Sequence, residues 1–214
     1  MKPDMDTDVD GALWKVVGTR PYKKQPRDAE RCIAAGANVN CQRPVAYPWG
    51  EESSRRETPL LIAIAHCMPK LVNRLLELGA DPNLETGALG ERTVLHIAVL
   101  HNHPEIVGML IKAGVFLEKK DTIFGWTALH LAVYSCHRHH LSVRMLLADG
   151  ANVNTMDDTG RTPWQILLEY GGRFSQELKA ILVENEADQP DKTVYGNFTD
   201  GKVSVPWGNG GVVV

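Results

Sequence analysis

The stretch that decides the fold is "WTALHLAVYSCHRHHLSVRMLLADGANVN", residues 126–154. A threonine at 127 opens a run whose apolar residues recur at three and four positions: Leu129, Ala132 and Val133, then Val143, Leu146 and Leu147. That spacing places them on one face of each of two short helices, with Thr127 as the N-cap or first residue of the first. Gly150 follows the second apolar run, where a left-handed residue closes a helix at least cost. The stretch therefore reads as two short antiparallel helices followed by a polar turn.

The same pattern occurs on either side. "ETPLLIAIAHCMPKLVNRLLELGADPN" begins at Glu57 and "RTVLHIAVLHNHPEIVGMLIKAGVFLE" at Arg92. Thr58, Thr93, Thr127 and Thr162 are 35, 34 and 35 residues apart, the self-similarity of a solenoid. Upstream, "ALWKVVGTRPYKKQPRDAERCIAAGANVN" shares the ending; downstream, "RTPWQILLEYGGRFSQELKAILVENEAD" shares the beginning. Each unit is amphipathic and can bury its apolar faces only against its neighbours.

The units are expected at about 11–40, 57–83, 92–118, 126–154 and 161–188, after an acidic segment 1–10 and before a C-terminal segment 189–214. In the latter, "TVYGNFTDGKVSVPW" alternates apolar and polar residues about Asp200-Gly201. That alternation predicts a small β-hairpin over the end of the stack, with "GNGGVVV" fraying beyond it, against the plainer reading of a disordered tail.

The motifs "TPLLIA", "TVLHIA", "TALHLA" and "TPWQIL", with "GADPN" and "GANVN", resemble those of ankyrin repeats over roughly residues 11–188. The resemblance implies an α fold, a solenoid of stacked helix pairs with projecting β-hairpin loops and a groove between the hairpins and the inner helices. Binding of proteins through that groove is the function it implies. It also implies structural work for His96 and His130, at the fourth position of the motif, in hydrogen bonds within and between repeats. His103 and His137 match the family's histidine between the helices, which leaves His66, His101, His139 and His140 to explain.

The partner-reading positions implied by the resemblance fall on the hairpins and late in the inner helices. They are Leu89, Glu91 and Arg92, then Leu100 and His101, in one unit, and Thr122, Ile123, Phe124 and Trp126, then Tyr134 and Ser135, in the next. In the last unit they are Asp157, Asp158, Thr159 and Arg161, then Glu169 and Tyr170. Phe124, Trp126 and Tyr134, where the fold requires no apolar residue, read as a hot-spot cluster. On this reading Trp126→Ala with Tyr134→Ala removes partner binding and leaves the melting temperature unchanged. Between Asn40 and Thr58 about ten extra residues are inserted relative to the 154–162 connection. This insert, 41–56, carries Tyr47 and Trp49 beside Arg55 and Arg56, a second candidate anchor, unless it is a tolerated floppy loop.

The whole-chain properties narrow the classes. A formal net charge of −3 over 214 residues supplies no basic field for nucleic acid, so none is expected as a partner. The acidic N-terminus has no apolar run of signal-peptide length, and no uninterrupted apolar stretch could span a membrane. An intracellular protein, cytoplasmic or nuclear and monomeric when unbound, is expected. Cys32, Cys41, Cys67 and Cys136 are scattered without a CxxC pair and read as reduced thiols.

No phosphate-binding glycine loop, nucleophile elbow or HExxH helix is present. "AHC" and "SCH" place cysteine beside histidine, but adjacent helical side chains diverge by about 100°. No catalytic residue, cofactor or metal is assigned. The function expected is a non-enzymatic interaction module: an adaptor, inhibitor or assembly factor binding another protein. Two other readings stay open, a histidine-rich metal protein using the turn 137–140 and an accessory or catalytic protein of a metabolic pathway.

Overall fold

The computed structural model describes residues 9–18, 25–46, 52–84, 92–135, 140–170 and 175–185. Among the described residues ten helices form five antiparallel pairs: α1 (Val9–Gly18) with α2 (Gln25–Ala34), α3 (Pro59–Ala65) with α4 (Pro69–Glu77), α5 (Val94–Leu100) with α6 (Pro104–Lys112), α7 (Ala128–Tyr134) with α8 (His140–Ala148), and α9 (Pro163–Tyr170) with α10 (Ser175–Glu184). First helices pack on first helices and second on second along the row: α1, α3, α5, α7 and α9 in one layer, and α2, α4, α6, α8 and α10 in the other. The core runs between the layers. In the third unit Leu95, Ala98 and Val99 meet Ile106, Val107 and Leu110, all buried, and the same register recurs as Leu129, Ala132 and Val133 with Val143, Leu146 and Leu147.

Local signals set the helix ends. The Thr58, Thr93 and Thr127 side chains accept from the backbone N–H three residues on, making them N-caps. Pro59, Pro69 and Pro104 stand at the start of their helices, where a missing N–H costs nothing. Gly36, Gly79, Gly114 and Gly150 follow the second helices with φ of 102°, 88°, 78° and 88°, the left-handed closure expected of them.

His96 and His130 complete the caps and extend them across repeats. Thr93 N–H donates to His96 Nδ1 at 3.3 Å, so the other ring nitrogen carries the proton and donates to the Trp126 carbonyl at 2.8 Å. His130 repeats this between Thr127 N–H, 3.2 Å, and the Arg161 carbonyl, 3.1 Å. In the last unit Gln165 takes over the cap, its Oε1 accepting from Thr162 N–H at 2.8 Å. A second ladder runs along the turns after the glycines. Asn40 donates to the Gly79 carbonyl and accepts from Asp81 N–H; Asn83 does the same with Gly114 and Phe116. At the next step Glu118 accepts from Asn152 N–H and from the Thr155 hydroxyl.

The insert between the first two units has paired flanks. β1 (Arg43–Ala46) and β2 (Glu52–Glu57) run antiparallel, with Arg43 opposite Glu57, Ala46 opposite Glu52 and an irregularity between Pro44 and Ala46. A two-stranded ribbon accommodates a proline because, among the described residues, neither strand pairs on its other side. The expected C-terminal hairpin about Asp200-Gly201 lies outside the described residues. No helix among the described residues is long and apolar enough to cross a membrane.

Candidate functional site

The hairpins that approach the first-helix layer are organised by two buried aspartates. Asp121 Oδ1 accepts from the backbone N–H groups of Phe124 and Trp126, at 3.0 and 3.1 Å, and its own N–H donates to the Trp126 carbonyl. Asp157 does the same work one repeat on: Oδ1 accepts from Thr159 N–H, the Thr159 hydroxyl and Arg161 N–H at 2.7–2.9 Å. Burial pushes the Asp157 carboxyl up. The hydrogen bonds from Arg161, Thr159 and the Trp126 indole outweigh that and lower it to about 2. Gly125, at φ 67°, faces the Asp158 side chain so closely that a Cβ would collide with it. Asp158 N–H donates to the Phe124 carbonyl at 3.1 Å and joins the two hairpins.

Between these hairpins and the ends of α5, α7 and α9 lies an open groove of about 340 Å³, lined by Arg92, Leu100, Phe124, Trp126, Leu131, Tyr134, Ser135, Arg161 and Tyr170. Its wall is a chain of rings. Phe124 meets Trp126 at 5.0 Å, Trp126 meets Tyr134 at 5.0 Å, and Tyr134 meets Tyr170 edge-on at 5.2 Å. Leu100, Phe124, Tyr134 and Tyr170 are 39%, 46%, 44% and 47% exposed. Exposed rings joined directly, as Tyr134 and Tyr170 are, or through the buried Trp126, as Phe124 and Tyr134 are, differ from isolated surface hydrophobics.

The sequence-predicted positions divide sharply in this geometry. Leu100, Phe124, Tyr134, Ser135, Arg161 and Tyr170 line one groove. Glu169 sits at its end, accepting from Arg161 Nη1 at 3.0 Å, and Asp158 is exposed on the hairpin. His101 is an exposed C-cap of α5 stacked on His103, with ring centroids 5.9 Å apart, and is not among the groove's lining residues. Tyr47 and Trp49 lie outside the described residues.

Two expectations need correction. Asp157, expected at the partner-reading surface, is only 4% exposed, because its carboxylate is consumed by its own hairpin. Trp126, expected where the fold has no use for an apolar residue, is only 5% exposed. Its indole Nε1 donates to Asp157 Oδ2 at 3.1 Å while Phe124 and Tyr134 cover its faces. Trp126 is thus a structural residue beneath the groove, and a double substitution that includes Trp126→Ala cannot leave the melting temperature unchanged. Leu131, buried in the floor, and Asp121 are not singled out by sequence position. The shared placement of Asp121 and Asp157 shortly before the residue preceding each threonine is the signal that marks the two aspartates.

His140 lies in α8, and His137 and His139 lie outside the described residues. His140 Nδ1 lies 2.8 Å from Glu177 Oε2, a carboxylate partner that sequence spacing does not suggest. Among the described residues no group of three or more histidine, cysteine or acidic side chains is arranged to hold a metal ion. The Cys67 Sγ lies 3.3 Å from His103 Nδ1, one repeat away, with Cys67 held at φ 52° in the inter-helix turn.

Comparison with known proteins agrees with this architecture. A profile of ankyrin repeats in three copies matches residues 24–121, 60–157 and 95–193. An ankyrin repeat protein of fowlpox virus (strain NVSL) is 33% identical over 133 residues, covering 62% of this chain and 38% of the viral protein. Mouse NF-kappa-B inhibitor delta is 36% identical over 128 residues, 58% of this chain and 37% of the inhibitor. The glycerophosphocholine phosphodiesterase gde1 of Schizosaccharomyces pombe is 38% identical over 92 residues, 43% of this chain but 8% of that enzyme. The chain thus spans less than two fifths of the length of each of these relatives. Its repeats are of the type that mediates protein–protein interaction, and the chain belongs to the ankyrin-repeat family.

Proposed function

We propose that the chain is a non-enzymatic binding module, an adaptor, inhibitor or assembly factor, that holds a protein partner in the groove between its last three repeats. The observation that carries this reading is the exposed aromatic side chains Phe124, Tyr134 and Tyr170, linked through the buried Trp126 and beside Leu100, on a surface whose backbone is already fixed by Asp121 and Asp157. Preorganised aromatic area of this kind binds with little ordering cost. The likeness to an NF-kappa-B inhibitor over 58% of the chain supports a role in holding another protein, within residues 11–188 acting as one domain. Tyr47 and Trp49 of the insert, with Asp158 and His101, are further contact positions on this reading. An intracellular setting and a monomeric unbound state belong to the same reading.

The test is capture of partners from extract on the purified chain, comparing wild type with Tyr134→Ala/Tyr170→Ala and quantifying recovered proteins by mass spectrometry. Both tyrosines are half-exposed, so the stack survives their loss, and the specific partner is expected to disappear from the variant. Recovery of the same partner at the same level on both baits sinks the groove.

A further inference from the structure

The charge of the groove specifies what kind of segment enters it, given the groove reading above. Its lining contains two arginines, Arg92 and Arg161, and no carboxylate. The aspartates that accompany them, Asp121 and Asp157, have fully buried side chains, while the arginine side chains remain 16% and 27% exposed. The Asp121 and Asp157 carboxylates face inward to the hairpin backbone, whereas Glu169, at the end of the groove, is 32% exposed. Arg161 is firmly held, through Nε and Nη2 on Asp157 at 3.0 Å and Nη1 on Glu169 at 3.0 Å. Arg92 is held by a 3.4 Å contact from Nε to Asp121, beyond the usual length of a charge-assisted hydrogen bond. Arg161 is thereby neutralised by two carboxylates, which leaves Arg92, with its longer contact to one buried carboxylate, as the cation of the lining for a ligand to engage.

We propose that the groove takes an extended peptide segment of a protein partner in which a bulky apolar side chain lies close to a carboxylate. The apolar side chain packs against Leu100, Phe124 and Tyr134. The carboxylate docks on the terminal nitrogens of Arg92, a mostly buried side chain whose carboxylate partner among the described residues, Asp121, is itself fully buried. A lysine or arginine in the same place meets like charge and is rejected, so the site discriminates by repulsion as well as attraction.

The experiment pans a phage library of random linear peptides on the full chain and retains clones whose binding is lost on the Tyr134→Ala/Tyr170→Ala protein. Aspartate or glutamate near an aromatic or leucine is expected to dominate the retained sequences. Replacing that acid by its amide in a synthetic peptide is expected to weaken binding roughly tenfold, the equivalent of one charged hydrogen bond. The acidic peptide should also weaken with rising salt while its amide does not. Retained clones that are neutral or basic, or that lose nothing on amidation, overturn the charge assignment and leave the groove standing. A library without any groove-dependent clone overturns the groove itself. Arg92→Gln, checked for folding by circular dichroism, should abolish the difference between acid and amide; persistence of that difference in the folded variant also overturns the assignment.

Discussion

The Trp126 indole and the Asp157 carboxylate, joined by a 3.1 Å hydrogen bond, occupy the same step of the stack as Arg92 and Asp121 one repeat earlier. In each case the residue before the threonine reaches forward to the aspartate of the following hairpin. Tryptophan has replaced arginine as the donor, and its rings have been added to the floor of the groove. A residue that reads as a partner contact is therefore a tie between repeats.

Trp126→Ala is expected to destabilise the chain by about 3–5 kcal/mol, since it removes a buried aromatic and one donor to a buried carboxylate. Trp126→Arg should be milder, because the geometry of Arg92 shows that a guanidinium can reach the following aspartate. Urea unfolding monitored by circular dichroism ranks the two; an alanine variant as stable as wild type would remove the tie.

Tyr134→Ala and Tyr170→Ala, at half-exposed positions, should each cost only about 0.5–1.5 kcal/mol, the order of an aromatic pair. The contrast with Trp126 separates groove surface from groove foundation. Thermal melts of the three single variants provide the comparison.

Acid should loosen the stack in two stages. Burial holds the imidazoles of His96 and His130 below their ordinary value, so the unfolded chain binds protons more readily as pH falls below about 6.5. The stability they contribute is complete above that pH and is lost as pH falls toward their lower folded values. Protonation of Nδ1 would also set a proton against the Thr93 or Thr127 N–H. Asp157 adds a second loss between its ordinary value near 3.8 and its folded value of about 2. His96→Gln and His130→Gln, which copy the cap that Gln165 makes, should flatten the first stage when unfolding free energy is measured at neutral and mildly acidic pH. An unchanged slope in the double variant would contradict the assignment.

Cys67 and Asn102 occupy the same inter-helix position with φ of 52° and 55°. Asparagine tolerates the left-handed region; cysteine does so at a cost of about 1 kcal/mol. Cys67→Gly is therefore expected to raise stability by up to about 1 kcal/mol despite the loss of the His103 contact. A fall in melting temperature would show that the thiol–imidazole contact outweighs the strain.

The repeat, the caps, the closing glycines and the helix pairs are legible in the chain of letters because each depends on neighbours three to five residues away or on the period itself. Thr93 signals a cap and Gly114 a closure wherever they stand in such a pattern. The groove is half legible: Leu100, Phe124, Tyr134 and Tyr170 sit where position alone expects partner contacts. What position alone does not supply is depth. Trp126 is buried where an aspartate 31 residues later accepts the hydrogen bond of its indole, and Asp157 where its own hairpin closes over it. His140 meets Glu177 and Cys67 meets His103 across 37 and 36 residues, contacts set by how one repeat rotates on the next. Periodicity determines that neighbouring units stack; only the stacked structure decides which side chains the next unit covers, since burial is a property of the pair of repeats and not of either one.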